Sequence, residues 1–407
     1  MGSQKQSYIK LSSSEQLLPK EELLMIKTDK QSFTIGVPKE TKFQENRVSL
    51  VPSAVSLLVE NGHRIKVERG AGIKANFEDR DFAESGAELV DSAEEIYQSD
   101  IVIKIAPPSL DEINMMKERL VLISALHNRA QEREYFKALL RKKVTALSYE
   151  HIRDKTNEHP ILHSISEIVG STSILIAAEY LSNTSLGRGK MLGGFTGINP
   201  SEVVIIGAGT VAEAAAKTAL GLGAMVKVFD NSISKLRRLQ NNINNRIFSS
   251  IIQSDVLSNA LKSADVVIGA MYIRNDNAYH IVSEEMVRNM KKGSVIVDVS
   301  IDRGGCFETS RPTNHIHPIY QVHDVIHYCV PNISSRTPHT SSYALSNYFA
   351  PFVLQMSEHG GFSQLLVEDP GIRKGVYIYN GKLTFGRIAK KFKLDFQDLN
   401  LLLAAFR

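Results

Sequence analysis

A glycine turn and an acid at a fixed distance from it are the residues here best suited to hold a ligand. Val203 to Ile206 is an apolar run, Gly207-Ala208-Gly209 follows, and an alanine-rich helical stretch leads to a second apolar run that ends in Asp230. Gly207 allows a tight turn off a strand, and Gly209 lets a pyrophosphate approach the amides of a helix N-terminus, where the peptide dipoles favour negative charge. Ala212, in the third small position, lets the helix sit close to the sheet. An acid about 20 residues beyond the glycines accepts hydrogen bonds from ribose hydroxyls and repels a phosphate there, so the pattern predicts NAD rather than NADP.

Four other residues have types suited to catalysis. His127 ends the run Val121 to Leu126, and a histidine moves protons near neutral pH. Asp302 follows the run ending at Val299 and stands just before Gly304-Gly305, where a carboxylate can orient or deprotonate water. Arg47, in Glu45-Asn46-Arg47, can grip a carboxylate bidentately. Lys104 interrupts Ile101-Val102-Ile103, and a lysine in a buried strand is costly unless it is paired, working, or snorkelling to the sheet edge. Each has a plainer reading as well: a satisfied strand-end histidine, a turn-forming aspartate, a solvated arginine. His315, His317, His323 and His327 lack the cysteines or carboxylates that would complete a metal site, so no metal is expected.

These residues must be positioned by strands that alternate with helices. Runs at 33–37, 64–67, 101–105, 121–126 and 144–149 read as strands, with helical spacing at 52–61, 111–120 and 131–140 between them. Further strands are read at 264–270, 294–299 and 328–330, and long helices at 166–181 and 340–358. The fold class expected is α/β, with two doubly wound parallel-sheet, Rossmann-like domains joined by two long helices around a cleft. The expected division is an extension over 1–32 with one short leucine-bearing patch, a substrate domain over 33–160 and 339–407, and a nucleotide domain over 161–338.

Composition narrows the function classes. The chain has 407 residues, 43% hydrophobic and 23% charged, with a net charge of +4 and no dense basic run, which argues against nucleic acid or a membrane surface as partner. No apolar run of the roughly 18 residues needed to span a bilayer is read, and Cys306 and Cys329 alone suggest reduced thiols in the cytoplasm.

Together these segments resemble the alanine dehydrogenase family, which shares its fold with the NAD-binding subunit of transhydrogenase. The resemblance runs from about Ile35 to the C-terminus. It is carried by Ile-Gly-Val-Pro-Lys-Glu with Glu-Asn-Arg-Val, by Gly-Arg-Gly-Lys-Met-Leu-Gly-Gly, by the glycine turn, by Ser-Ile-Asp-Arg-Gly-Gly-Cys-Phe-Glu, and by Tyr-Cys-Val-Pro-Asn-Ile. It implies that Arg47 binds the substrate carboxylate, that His127 and Asp302 are the acid/base residues, and that Ser166, Asp230, Lys235 and Asn332 touch NAD. It also implies a homo-hexamer.

One departure stands out. The family carries Lys-x-Lys-Glu-Pro at a strand end, and here that segment is Lys104-Ile105-Ala106-Pro107-Pro108, so the second lysine is Ala106. Losing a cation beside the reacting carbon would be expected to cost a few kcal/mol of barrier, unless Lys104 takes over. Three readings follow: NAD-dependent deamination of L-alanine, an NAD(H)-binding module that has lost that chemistry, or a dehydrogenase of a larger amino acid.

Overall fold

A computed structural model describes residues 30–126, 131–243, 245–272 and 280–404. The leucine-bearing patch near residue 24 lies outside them.

Six parallel strands open the described chain: β1 Thr34–Val37, β2 Arg64–Glu68, β3 Glu88–Val90, β4 Ile101–Ile103, β5 Val121–Ser124 and β6 Thr145–Ser148. Seven more follow, β7 Glu202–Ile206, β8 Met225–Phe229, β9 Phe248–Ser250, β10 Val266–Gly269, β11 Val295–Asp298, β12 Ile319–Val322 and β13 Val325–Tyr328, and the last pair is β14 Val376–Tyr379 and β15 Lys382–Leu383. They form two sheets, ordered β15-β14-β6-β5-β4-β1-β2-β3 and β12-β13-β11-β10-β7-β8-β9. Each contains the doubly wound order in which the first strand lies centrally and the chain then switches sides.

Both sheets carry an antiparallel edge, which corrects the purely parallel expectation. β14 runs antiparallel to β6 and to β15, and β12 runs antiparallel to β13. The last strand of the second sheet is Val325–Tyr328 rather than 328–330. Nearly every residue of the central strands is buried on both faces, as parallel strands covered by helices require.

Two long helices tie the sheets together. The Pro160–Ser182 helix gives Ile161 to the core of the first sheet and Ile174, Ile176, Ala177 and Leu181 to the core of the second. Gly170 makes its contact with the Thr210–Gly221 helix possible, because a Cβ there would lie 2.3 Å from the Val211 carbonyl oxygen. This helix is long and apolar enough to cross a bilayer by length and composition, contrary to the sequence expectation, but here it packs between two cores. The Pro338–Glu358 helix returns the chain to the first core through Leu345, Phe349, Val353 and Met356.

Candidate active site

The carboxyl ends of the strands carry the candidate residues. The turn after β7 is built as the sequence predicted. Gly207 has φ +112°, and a Cβ on it would stand 2.5 Å from the Ala270 carbonyl oxygen, so only glycine fits. Gly209 precedes the Thr210–Gly221 helix, a Cβ on it would meet nothing within 4 Å, and no side chain caps the helix. Open space before uncapped amides is the shape a pyrophosphate needs. Ala212 is fully buried against the sheet.

Asp230 follows β8 and is 2% exposed. Its Oδ2 accepts from the Ala208 amide (2.8 Å) and its Oδ1 from the Ser232 amide (2.7 Å), which binds the acid to the glycine turn. A carboxylate has about four acceptor positions, so it retains capacity for ribose hydroxyls. Lys235 is exposed one turn into the next helix, and Ser166 is half-buried on the Pro160–Ser182 helix.

Asp302 lies in a short 3-10 turn after β11, exposed, with the Arg303 guanidinium 3.8 Å away. The fully buried carboxylate of Asp298 holds the base of this loop: Oδ1 accepts from the Ser300 amide, and Oδ2 from the Cys306 amide and the Ser310 hydroxyl. Burial raises the Asp298 pKa above the usual carboxylate range. His127 lies outside the described residues.

On the first sheet, the segment after β1 supplies Arg47, which is 7% exposed. Its guanidinium is held side-on by Glu45, Nε to Oε1 and Nη2 to Oε2, both 2.7 Å, and Nη1 donates to the Ser334 hydroxyl at 3.0 Å. Three of its five N–H groups are used, which leaves one on each Nη for a substrate carboxylate. Burial works against the charge on Glu45, but the Arg47 cation and its hydrogen bonds prevail and hold the carboxyl below its ordinary range.

Lys104 does not snorkel. Fully buried, it places Nζ 2.9 Å from Glu40 Oε2 and 3.2 Å from Glu112 Oε1. Glu40 also accepts from the amides of Ile105 (2.6 Å) and Ala106 (3.3 Å). Burial raises the Glu40 pKa, opposed by Lys104. Glu40, Glu45 and Glu112 went unremarked as site residues in the sequence. Glu45 had one signal, its position two residues before Arg47, whereas Glu112, on the Leu110–Met115 helix that follows Lys104, shows its role only in space.

The two sheets meet here. Asn332, in the left-handed conformation after β13, donates from Nδ2 to Glu45 Oε2 (2.9 Å), and Ser335 bonds the backbone of Gln44 and Asn46. The glycine turn, Asp302 and Asn332 thus lie at the carboxyl ends of one sheet, and Arg47 and Ala106 at those of the other. Two doubly wound sheets meeting at their carboxyl ends, one with a dinucleotide turn, define the class of two-lobed NAD-dependent oxidoreductases.

Comparison with known proteins makes the class particular. Residues 36–169 match the family model "Alanine dehydrogenase/PNT, N-terminal domain" and residues 173–386 match "Alanine dehydrogenase/PNT, C-terminal domain". The alanine dehydrogenase of Methanococcus maripaludis is 40% identical over 364 residues, covering 89% of this chain and 97% of that one. That of Mycobacterium tuberculosis is 37% identical over 365 residues, 89% and 98%. A solved L-alanine dehydrogenase superposes with a TM-score of 0.83 at 38% identity, covering 88% of this chain and 99% of the other. A transhydrogenase from Sinorhizobium meliloti, 21% identical with a TM-score of 0.74 over 87% and 99%, shares the fold. The chain belongs to the alanine dehydrogenase/PNT family.

Proposed function

We propose that the protein interconverts L-alanine and pyruvate with NAD: alanine, NAD+ and water give pyruvate, ammonium, NADH and a proton. The observation that carries this reading is the buried Arg47, held side-on with one N–H free on each Nη, where the two sheets meet. Such a cation binds a small carboxylate bidentately. The division into a substrate lobe, 33–160 with 339–407, and a nucleotide lobe, 161–338, belongs to the same reading.

Bound NAD supplies the hydride acceptor. Gly207 and Gly209 would hold the pyrophosphate end of the cofactor, with Ala212 letting the helix sit close to the sheet, and Asp230 would hold the ribose, with Ser166, Lys235 and Asn332 as further contacts. Arg47 fixes the substrate carboxylate. Asp302, exposed at its loop tip, takes the proton from the water that adds to the imine, and His127 is its partner in proton transfer. Lys104 acts through Glu40 as a positioning residue, since its ammonium is already enclosed by two carboxylates.

A homo-oligomer is supported by an apolar patch beside the long helix, where Met191, Phe195 and Ile198 are 63%, 56% and 64% exposed. By the resemblance it is a hexamer. Two buried free thiols, Cys306 and Cys329, fit a reducing cytoplasm.

A second reading is favoured by one observation: because Lys104 is committed to Glu40 and Glu112, it does not replace the cation missing at Ala106. The chain would then bind NAD(H) without deaminating alanine, or act on a larger amino acid. Steady-state NADH formation over a panel of amino acids, alongside NADH binding, separates these readings. Turnover with alanine supports the first, and binding without any turnover rejects it.

A further inference from the structure

Four side chains, Arg47 among them, form a closed ring of hydrogen bonds. Arg47 donates to both oxygens of Glu45 and, through Nη1, to the Ser334 hydroxyl; Ser334 donates to Asn332 Oδ1 at 3.0 Å; Asn332 Nδ2 donates back to Glu45 Oε2 at 2.9 Å. Each bond of the ring pairs a donor with an acceptor, and the two polar ends of the Asn332 amide are assigned without conflict. Glu45 and Arg47 follow β1 of the first sheet, and Asn332 and Ser334 follow β13 of the second, so the ring crosses from one sheet to the other.

We infer that Glu45 is a positioning residue that couples the two ligands, its carboxylate joining the arginine on the substrate side to the asparagine on the cofactor side. This rests on the reading of Arg47 as the carboxylate anchor and goes beyond it. Glu45 and Ser334 both bridge Arg47 and Asn332, and Glu45 is the bridge that carries charge, sustained in a buried place by the guanidinium. A flexible arginine would have to be ordered when substrate arrives, whereas this one is fixed on its Nε edge with its outer N–H groups presented. The ring fixes Asn332 at the same time. Its backbone adopts φ 60°, and its carbonyl oxygen lies 3.3 Å from His315 Nε2, so the residue has little freedom to adjust alone. A ligand that settles one half of a ring of charge-assisted bonds reduces the ordering left for the other half, and binding at one sheet therefore strengthens binding at the other.

The test uses the full chain, with oxamate as an unreactive analogue of pyruvate. NADH affinity is read by its fluorescence with and without saturating oxamate, and the KM for pyruvate and kcat are read in the aminating direction. In the parent protein oxamate tightens NADH several-fold. Glu45→Gln places an amide N–H2 where two donors already point, so KM for pyruvate rises ~10-fold or more and the tightening disappears, while NADH alone binds within ~2-fold of the parent.

Glu45→Asp keeps a carboxylate beside Arg47 on a stem one methylene too short to reach Asn332 as well, and it covers the case in which Glu45→Gln does not fold. It loses the tightening, with KM changed by less than ~3-fold, whereas Ser334→Ala leaves both Glu45 bonds and keeps the tightening. Tightening that survives in Glu45→Asp, or that is missing from the parent protein, overturns the inference. Arg47→Met separates the two levels: an unchanged KM for pyruvate in that variant rejects the anchor itself, whereas a raised KM there with coupling intact in Glu45→Asp rejects only the coupling.

Discussion

The ammonium of Lys104 lies 2.9 Å from the carboxylate of Glu40, and neither side chain reaches bulk water. With Glu112 on the other side, one cation serves two buried carboxylates, and removing it leaves both facing low-dielectric protein. Lys104→Met is expected to destabilise the fold by about 3–5 kcal/mol at pH 7. Burial already raises the Glu40 pKa, so in the variant its carboxyl takes up a proton readily and the deficit shrinks toward pH 5. Urea unfolding at both pH values measures this, and a midpoint equal to the parent at pH 7 would contradict it.

By the resemblance, Ala106 takes the place of a second lysine, and its amide lies 3.3 Å from Glu40 Oε2. Ala106→Lys should raise kcat for alanine deamination by ~10-fold or more, as expected for a cation set against developing negative charge. Initial rates of NADH formation decide the matter, and an unchanged or lower kcat counts against a vacancy that limits the present rate.

In the proposed reading, Asp230 distinguishes the two nicotinamide cofactors. Asp230→Ser removes the charge that would repel a 2′-phosphate and keeps a small hydrogen-bonding group beside Ala208. Relative kcat/KM for NADPH over NADH is expected to rise ~10-fold or more. A ratio that stays constant would show that selectivity resides elsewhere.

His327 is fully buried beside the Asp302 loop, with Nε2 2.8 Å from the Thr309 hydroxyl and Nδ1 3.0 Å from the Val325 carbonyl oxygen. Burial lowers its pKa from 6.5 to about 4. Between those values the unfolded chain binds the proton and the native one does not, so this contribution is complete above pH 6.5 and falls as pH drops toward 4. At pH 5 the loss is about 2 kcal/mol. In His327→Gln the difference in unfolding free energy between pH 7 and pH 5 should shrink by about that amount, and a difference equal to the parent's would remove His327 as its source.

The glycine turn was legible because its signal is local: strand, turn, helix and acid all lie within 28 residues, and each obeys its own backbone or charge rule. The distant partners of Lys104 and Arg47 were not. Glu40 lies 64 residues from Lys104, and Ser334 287 residues from Arg47, and no periodicity links positions so far apart. The hairpin of β14 and β15 was missed although Asn380-Gly381, both with positive φ, is a strong turn signal between apolar residues. Its strands were too short to register on their own.

The Pro160–Ser182 helix gives its first turn to one core and its later turns to the other, with Gly170 fitted closely against a neighbouring helix. Neither half can melt while the other keeps all of its packing, because the same rod would be stripped from both. Heating should therefore produce one calorimetric transition rather than two, and damage at either end of that rod should lower the melting temperature of the whole molecule.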